Sequence, residues 1–407
     1  MSGKWPGGFI TKTAPTVVGP VDGEGGSASG VWTLDQVADY EKQGLWPKPV
    51  IPRELWGIGS NESYGHLGIN NGNTNVSSPV QVGTLTTWLR SAAGYNHSIF
   101  AKNDGTMWGV GRNNNGQLAQ GNTTTYTSPV QIGALTTWYE VSAGSYFSIA
   151  TKTDGTLWAW GNNQSGQLGQ GNTTNTSSPV QIGALTTWGT SQTASGYGWM
   201  AVKTDGTLWG CGDNTNGMIG DGTTTNRSSP VQVGALTTWA KVARGNGSTL
   251  ALKTDGSLWA FGYNNAGQLG QGNTTNTSSP VQIGALTTWS KIAAGADAGY
   301  AIKTDGTLWS WGANWSGPLG LGDSTYRSSP VQVGALTTWS TITGGNKWAA
   351  GVATDGTLWT WGYNPYGALG QGNTTSYSSP VQVGALTTWL KAETGPVSYG
   401  LFGFKTP

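Results

Sequence analysis

Side chains able to do chemistry are scarce in this chain. It holds two histidines, His66 and His97, and one cysteine, Cys211. Acyl-transfer catalysis needs a histidine beside a nucleophile and an orienting acid. Neither histidine recurs or stands in such a pattern. A single cysteine excludes a multi-cysteine zinc site and an intramolecular disulfide. Two histidines exclude a histidine-rich metal site. No Gly-Lys-Ser or Gly-Lys-Thr phosphate loop and no Asp-x-Asp-x-Asp calcium loop occurs. The expectation is a chain with no catalytic residues, no metal and no cofactor. Cys211 stands where other copies of an internal repeat carry Val110, Trp160, Phe261, Trp311 and Trp361, which makes it a core residue.

Two other titratable sets recur. Asp104, Asp154, Asp205, Asp255, Asp305 and Asp355 form a series of carboxylates, each followed by glycine in a turn. They read as structural. Lys102, Lys152, Lys203, Lys253 and Lys303 stand beside those turns and read as a solvated rim, with an anion-binding ring as the alternative.

The positions that break the repeat carry the functional signal. Between near-identical segments lie divergent triplets: Tyr95-Asn96-His97, Ser145-Tyr146-Phe147, Gly196-Tyr197-Gly198, Asn246-Gly247-Ser248, Ala296-Asp297-Ala298, Asn346-Lys347-Trp348 and Pro396-Val397-Ser398. Equivalent loops fall on one face. Tyr, Trp, His and Asn there suit a carbohydrate or protein partner through ring contacts and hydrogen bonds. The candidates are Tyr95, Asn96, His97, Tyr146, Phe147, Tyr197, Asp297, Lys347 and Trp348. Arg244, whose counterparts are Ala, Gly or Thr, reads either as a cation projecting toward a central channel or as structural packing against a carbonyl. A second variable set includes residues 60–64, 112–115, 313–316 and 363–366, with Trp315 and Tyr366 as its apolar outliers. It is read as a patch or a contact between subunits.

The elements that position these residues come from the repeat. A Trp opening the segment Leu-Trp-x-x-Gly recurs at Trp56, Trp108, Trp158, Trp209, Trp259, Trp309 and Trp359, with spacings of 52, 50, 51, 50, 50 and 50. A period near fifty marks a propeller or solenoid. A second Trp recurs at Trp88, Trp138, Trp188, Trp239, Trp289, Trp339 and Trp389. Together they account for 14 of 23 tryptophans and read as packing between blades rather than as a ligand cage. Asp-Gly between apolar runs is a hairpin signal. Leu157-Trp158-Ala159-Trp160 reads as a strand buried on both faces. Ser-Pro-Val-Gln begins an outer strand, where proline is tolerated. Small residues such as Ala92-Ala93-Gly94 suit strands converging on an axis. Glu54–Gly57 is the second half of a unit and residues 389–404 the first half of another. Joined, they complete one blade and leave no open edge. The predicted fold is all-β: a seven-bladed propeller over residues 52–407.

Gly-Gln-Leu-Gly with Trp-Gly-x-Asn and Asp-Gly-Thr-Leu-Trp closely resembles the regulator of chromosome condensation repeat family. The resemblance covers residues 52–407 and implies a seven-bladed propeller. The family often has histidine after the Ala-Gly of the inner strand, and only His97 matches. Its founding member is a nucleotide-exchange factor for a small GTPase that binds chromatin through a basic tail. This chain has no such tail and a net charge of only +1.

Residues 1–30, rich in Gly, Pro, Ser and Thr, read as an extended arm, and 31–51 as a short helix and linker. Met1–Ile10 has no apolar core of a signal peptide. Thr33 and Gln36 form a capping box, Trp32 and Val37 flank it, and Gly44 with Pro47 ends the helix at residues 34–43. Trp5, Phe9, Trp32, Val37 and Trp46 are apolar without a core of their own and read as an assembly anchor. The stretch from Gly26 to Pro47 resembles a segment in virion structural proteins and fibres of tailed phages, especially aquatic ones. The resulting expectation is a non-enzymatic virion display protein. Its arm docks on other virion or assembly proteins, and its propeller presents a face to a host-surface glycan or protein. It is expected to join a homo- or hetero-oligomeric assembly, with no nucleic acid and no membrane insertion. The alternative is a cytoplasmic or secreted propeller adaptor, regulator or inhibitor.

Overall fold

The computed structural model describes residues 52–62 and 64–407, together with two short strands, Val17–Val18 and Ser27–Ala28, that pair antiparallel. The anticipated helix and the anchor residues Trp5, Phe9, Trp32, Val37 and Trp46 lie outside the described residues. The chain divides into two compact units, Met1–Pro52 and Arg53–Pro407. The second consists of seven four-stranded antiparallel sheets, the blades of a propeller.

Each blade is a meander. In blade two its strands are Trp138–Ala143, Phe147–Lys152, Leu157–Gly161 and Thr176–Gln181. The first strands of blades one to seven are Trp88–Ala93, Trp138–Ala143, Trp188–Ser195, Trp239–Arg244, Trp289–Ala294, Trp339–Gly344 and Trp389–Glu393. They wall the central channel, as their small residues require. Blade seven is shared between the chain's ends. Gly400–Lys405 lies between Trp389–Glu393 and Glu54–Gly59, and Val76–Gln81 completes the sheet. An ion pair of 2.6 Å between Glu54 and Lys405 and an edge contact of 5.1 Å between Phe100 and Phe402 fasten this seam.

The hairpin between second and third strands differs from a two-residue Asp-Gly turn. Lys152 O accepts from Gly155 N, Lys152 N donates to Thr156 O, and only the glycine has positive φ, +76°. This is a longer turn closed by a left-handed glycine. Its aspartate is structural, as expected: Asp154 Oδ1 accepts from Thr156 N at 2.9 Å and Thr156 Oγ1 at 2.6 Å. Thr156 Oγ1 in turn accepts from Trp158 Nε1 at 2.8 Å.

The recurring lysines are not a solvated rim. Lys152 Nζ sits 3.8 Å from the Trp158 ring centroid and 4.9 Å from that of Trp138. Lys102, Lys203, Lys253 and Lys303 repeat the arrangement at 3.7–3.9 Å. The two tryptophans meet edge to face, 6.1 Å apart in blade two. Cation, ring and ring thus form one stack per blade. Burial pulls the Lys102 and Lys203 ammoniums below the usual lysine range, opposed by the neighbouring aspartates.

Blades are joined by a repeated hydrogen bond whose donor varies. Trp160 Nε1 reaches across to Gln117 O at 2.8 Å, Trp311 to Gln268 O at 3.0 Å and Trp361 to Pro318 O at 2.8 Å. Blade three has Cys211 at that place, and Trp199 of the second strand donates to Gln167 O at 2.8 Å instead. Blade four has Phe261, and Thr249 Oγ1 donates to Met218 O at 2.7 Å. Cys211 is fully buried, and burial pushes its thiol up to about 12, consistent with a core residue.

Candidate binding face

In an antiparallel meander the first-to-second and third-to-fourth connections emerge at the same end of the sheet. A backbone hydrogen bond ties the two loops together in each blade. Asn162 N donates to Tyr146 O at 2.9 Å, Arg112 N to Asn96 O at 2.8 Å and Tyr363 N to Lys347 O at 2.9 Å. The two variable sets therefore belong to one surface. Third-to-fourth loops are pinned from inside by a buried asparagine. Asn163 Oδ1 accepts from Leu168 N at 2.8 Å, while Nδ2 donates to Asn172 O and Thr174 O, each at 3.0 Å.

In blades one to six the middle residue of the triplet faces this surface. Tyr146 is half-buried and Tyr197 exposed. Asn96, Asp297 and Lys347 are half-buried as well. Tyr95 is exposed beside them. Third residues do not belong there. His97, Phe147 and Trp348 begin second strands and are fully buried, because the strand starts one residue earlier than the triplet pattern implied. Of the two readings of Arg244, the structure has packing against carbonyls. Its guanidinium does not project into the channel but lies buried between blades three and four. Nη2 donates to Asp213 O at 3.0 Å, and Nη1 lies 3.5 Å from Met218 O. It fills space left where Cys211 and Phe261 replace tryptophan. Burial lowers it to about 10, so it stays charged near neutrality.

The aromatic residues that do reach the surface form an arc. Tyr95 meets Tyr146 at 5.9 Å, and Tyr146 meets Tyr197 at 6.2 Å. The Arg112 guanidinium carbon lies 5.1 Å from the Tyr146 ring and 5.4 Å from that of Tyr64. Tyr399 meets Tyr366 at 5.1 Å. Its phenol is raised by burial and then by the neighbouring phenols of Tyr366, Tyr95 and Tyr363. Trp315 meets Tyr363 at 5.6 Å, and Lys347 Nζ lies 4.2 Å over the Trp315 ring. Trp315 and Tyr366 thus continue the same surface as Tyr95 and Tyr146. Burial raises the Tyr146 phenol, with Tyr197 adding to it and Arg112 opposing. Burial likewise raises the Asp297 carboxyl against the pull of Lys347.

Tyr399 does not stand out in the sequence. Ser60 N donates to its carbonyl at 3.1 Å, the bond that marks the middle position in other blades. Residues 394–399 carry a longer first-to-second connection, so a count from Gly395 lands on Val397, which is buried. Among the described residues, no three His, Cys, Asp or Glu side chains group to hold a metal ion.

The regulator of chromosome condensation (RCC1) repeat model matches residues 104–151, 154–199, 205–252, 255–302, 305–351 and 355–396. A second model of the same repeat matches 138–167 and 239–268. No curated protein matches the chain. Among solved structures, human WBSCR16 is similar at 19% identity with a TM-score of 0.77, covering 88% of this chain and 99% of its own. Yeast RCC1 (Prp20) bound to Kap60 is similar at 17% identity and 0.76, covering 88% and 89%. Prp20p from Saccharomyces cerevisiae, in a structure whose description concerns binding to Gsp1p and histones, is similar at 17% and 0.76, covering 88% and 92%. At such identities the likeness is one of fold. With the repeat matched over most of its length and seven blades closed between its ends, the chain belongs to the regulator of chromosome condensation repeat family.

Proposed function

We propose that this chain is a non-enzymatic binding protein whose loop face recognises a partner protein. The observation behind the reading is the arc from Tyr197 through Tyr146, Tyr95 and Tyr399 to Trp315, with Arg112 and Lys347 seated on its rings. Tyr, Trp and Arg dominate the energetics of protein interfaces. Tyrosines interspersed with Ser, Gly and Asn on a rigid frame also resemble the composition of antibody binding loops. Yeast Prp20 is described with Kap60, Gsp1p and histones as its partners, which supports an adaptor or regulator role of this general kind. A second reading, display on a virion with a host-surface glycan or protein as the target, rests on the stretch from Gly26 to Pro47, of which all but Ser27–Ala28 lies outside the described residues.

The experiment compares wild type with a variant carrying Tyr95→Ala, Tyr146→Ala, Tyr197→Ala and Arg112→Ala. Both are immobilised and tested for protein capture and on a glycan array, with melting measured in parallel. The expected result is a protein ligand that the variant binds at least tenfold more weakly with little change in melting. A ligand held equally by both proteins moves recognition off this face. A glycan lost only by the variant replaces the adaptor reading with the display reading.

A further inference from the structure

One cation of the loop face is held by rings and has no acid. The Arg112 guanidinium carbon lies 5.1 Å from the Tyr146 ring centroid and 5.4 Å from that of Tyr64. Three blades meet there. Arg112 follows the third strand of blade one, Tyr64 the third strand of blade seven and Tyr146 the first strand of blade two. Tyr95 and Tyr197 extend the cluster through Tyr146, at 5.9 and 6.2 Å. Arg112 is half-buried, and its Nε is shut away from solvent with no hydrogen-bond partner. The Nη end is therefore the part that meets a ligand. Ring contacts fix the plane of a guanidinium, so less freedom is lost when its donors bond an anion.

Other cations at this end of the propeller carry their own acids. Arg227 pairs with Asp221 at 2.6 Å and Arg327 with Asp323 at 2.7 Å, each within one blade. The Asp297 carboxyl, raised by burial, is pulled back by Lys347, the second cation of the arc. Arg112 has no carboxylate within pairing distance among the described residues. Glu62, on the loop that carries Tyr64, accepts from Asn75 Nδ2 at 2.6 Å and is turned to its own loop. The scaffold does not call for an arginine here either. Equivalent positions in the other blades hold Ser60, Asn162, Asp213, Tyr263, Ala313 and Tyr363.

We propose that Arg112 recognises a carboxylate, the side chain of an aspartate or glutamate on the partner protein, while apolar groups beside that acid rest on Tyr95, Tyr146 and Tyr197. The inference rests on the partner-protein reading of this face and adds the chemistry of what is recognised. A carboxylate matches the forked donors of a guanidinium in one plane. Rings packed against the pair exclude water from it, and a desolvated charge pair rejects a neutral substitute more strongly than one at an exposed rim. Lys347 already has Asp297 beside it, so the bound segment carries a single acidic position at the Tyr64–Tyr146 end of the arc rather than a run of acids.

The test selects peptides from a random displayed library on the immobilised full chain. Only peptides lost on a Tyr95→Ala/Tyr197→Ala variant are scored, which restricts the set to binders of this face. They are expected to share one acidic position flanked by apolar or aromatic residues. A synthetic copy of one such peptide is then titrated by fluorescence anisotropy. Arg112→Gln is expected to bind it at least tenfold more weakly, and wild type is expected to lose about as much when the peptide's acid is replaced by its amide. The two changes together are expected to cost little more than either alone, the mark of a direct pair. Arg112→Lys keeps the charge without the fork and is expected to recover only part of the affinity. Arg327→Gln, whose acid is its own Asp323, is expected to bind as wild type does. Face-dependent peptides with no shared acid, or fully additive losses in the two changes, overturn the inference and leave the partner-protein reading in place. A library that yields no face-dependent peptide overturns both.

Discussion

His97 Nε2 lies 3.0 Å from Ser148 Oγ across the seam between blades one and two. The Ser148 hydroxyl donates to Gln117 O at 3.0 Å, so the histidine is the donor in the pair. His97 Nδ1 and both ring nitrogens of His66 are buried without partners among the described residues. Burial lowers His66 to about 4 and His97 to about 3, with His66 adding to the shift on His97.

Acid sensitivity is the first expected consequence. The unfolded chain titrates its histidines near 6.5, so between that pH and the folded values the unfolded state binds more protons. Stability is therefore full above pH 6.5 and falls as pH drops toward 4. The cost is on the order of 3 kcal/mol per histidine at pH 4. His97→Phe and His66→Gln copy what Phe147 and Gln117 do at the seam between blades one and two. Denaturant melts at pH 7 and pH 4 are expected to show the pH loss roughly halved by either change and mostly removed by both. An unchanged loss in the double variant would contradict the assignment.

Arg244 separates volume from charge. Arg244→Ala leaves a gap between blades three and four where no tryptophan compensates, and is expected to cost about 2–4 kcal/mol. Arg244→Met keeps most of the volume and removes a buried cation, while Thr249 still serves Met218 O. It is expected to cost less than about 1.5 kcal/mol. Chemical denaturation distinguishes the two. Equal losses would mean that the hydrogen bond to Asp213 O, not the packing, carries Arg244.

Much of the propeller is legible in the sequence because Trp158 and Trp138 repeat at fixed spacing, and only a ring buries them all in equivalent places. The site is less legible, for physical reasons tied to particular residues. His97, Phe147 and Trp348 look variable because the space between blades is filled differently at each seam, not because they face a ligand. Arg244 looks like a channel cation because its counterparts are small, yet the relevant neighbours are Cys211 and Phe261, distant in sequence. Tyr399 is hidden by extra residues in one loop. The union of Trp315 and Lys347 was available in principle, since a four-stranded meander brings alternate loops to one end. The lysine stack could also have been found, because Lys152 and Trp158 flank the same hairpin.

Lys152→Met tests the cation stack. Methionine retains apolar cover over Trp158 but no charge, and Ala353 already stands at this position in blade six. The expected cost is about 0.5–1 kcal/mol, with the Trp158 fluorescence environment altered. No change in either stability or emission would make the 3.8 Å approach energetically idle.

Ring closure is the most demanding prediction. Gly400–Lys405 is the only strand joining Trp389–Glu393 to Glu54–Gly59, so the two chain ends are held in one sheet by it. Deleting residues 395–407 exposes unpaired edges on both neighbours and uncovers Phe100, which packs on Phe402. Such edges template association between chains. The deletion is expected to aggregate or to melt at least 10 °C lower, roughly the effect of losing several kcal/mol in a domain of this size. Phe402→Ala is the milder test. It keeps every backbone bond and removes one buried ring, at about 3–5 kcal/mol. Adding the peptide of residues 395–407 to the freshly refolded deletion form is expected to restore solubility. A deletion form that stays soluble and melts as the full chain does would show that the ring does not depend on this strand.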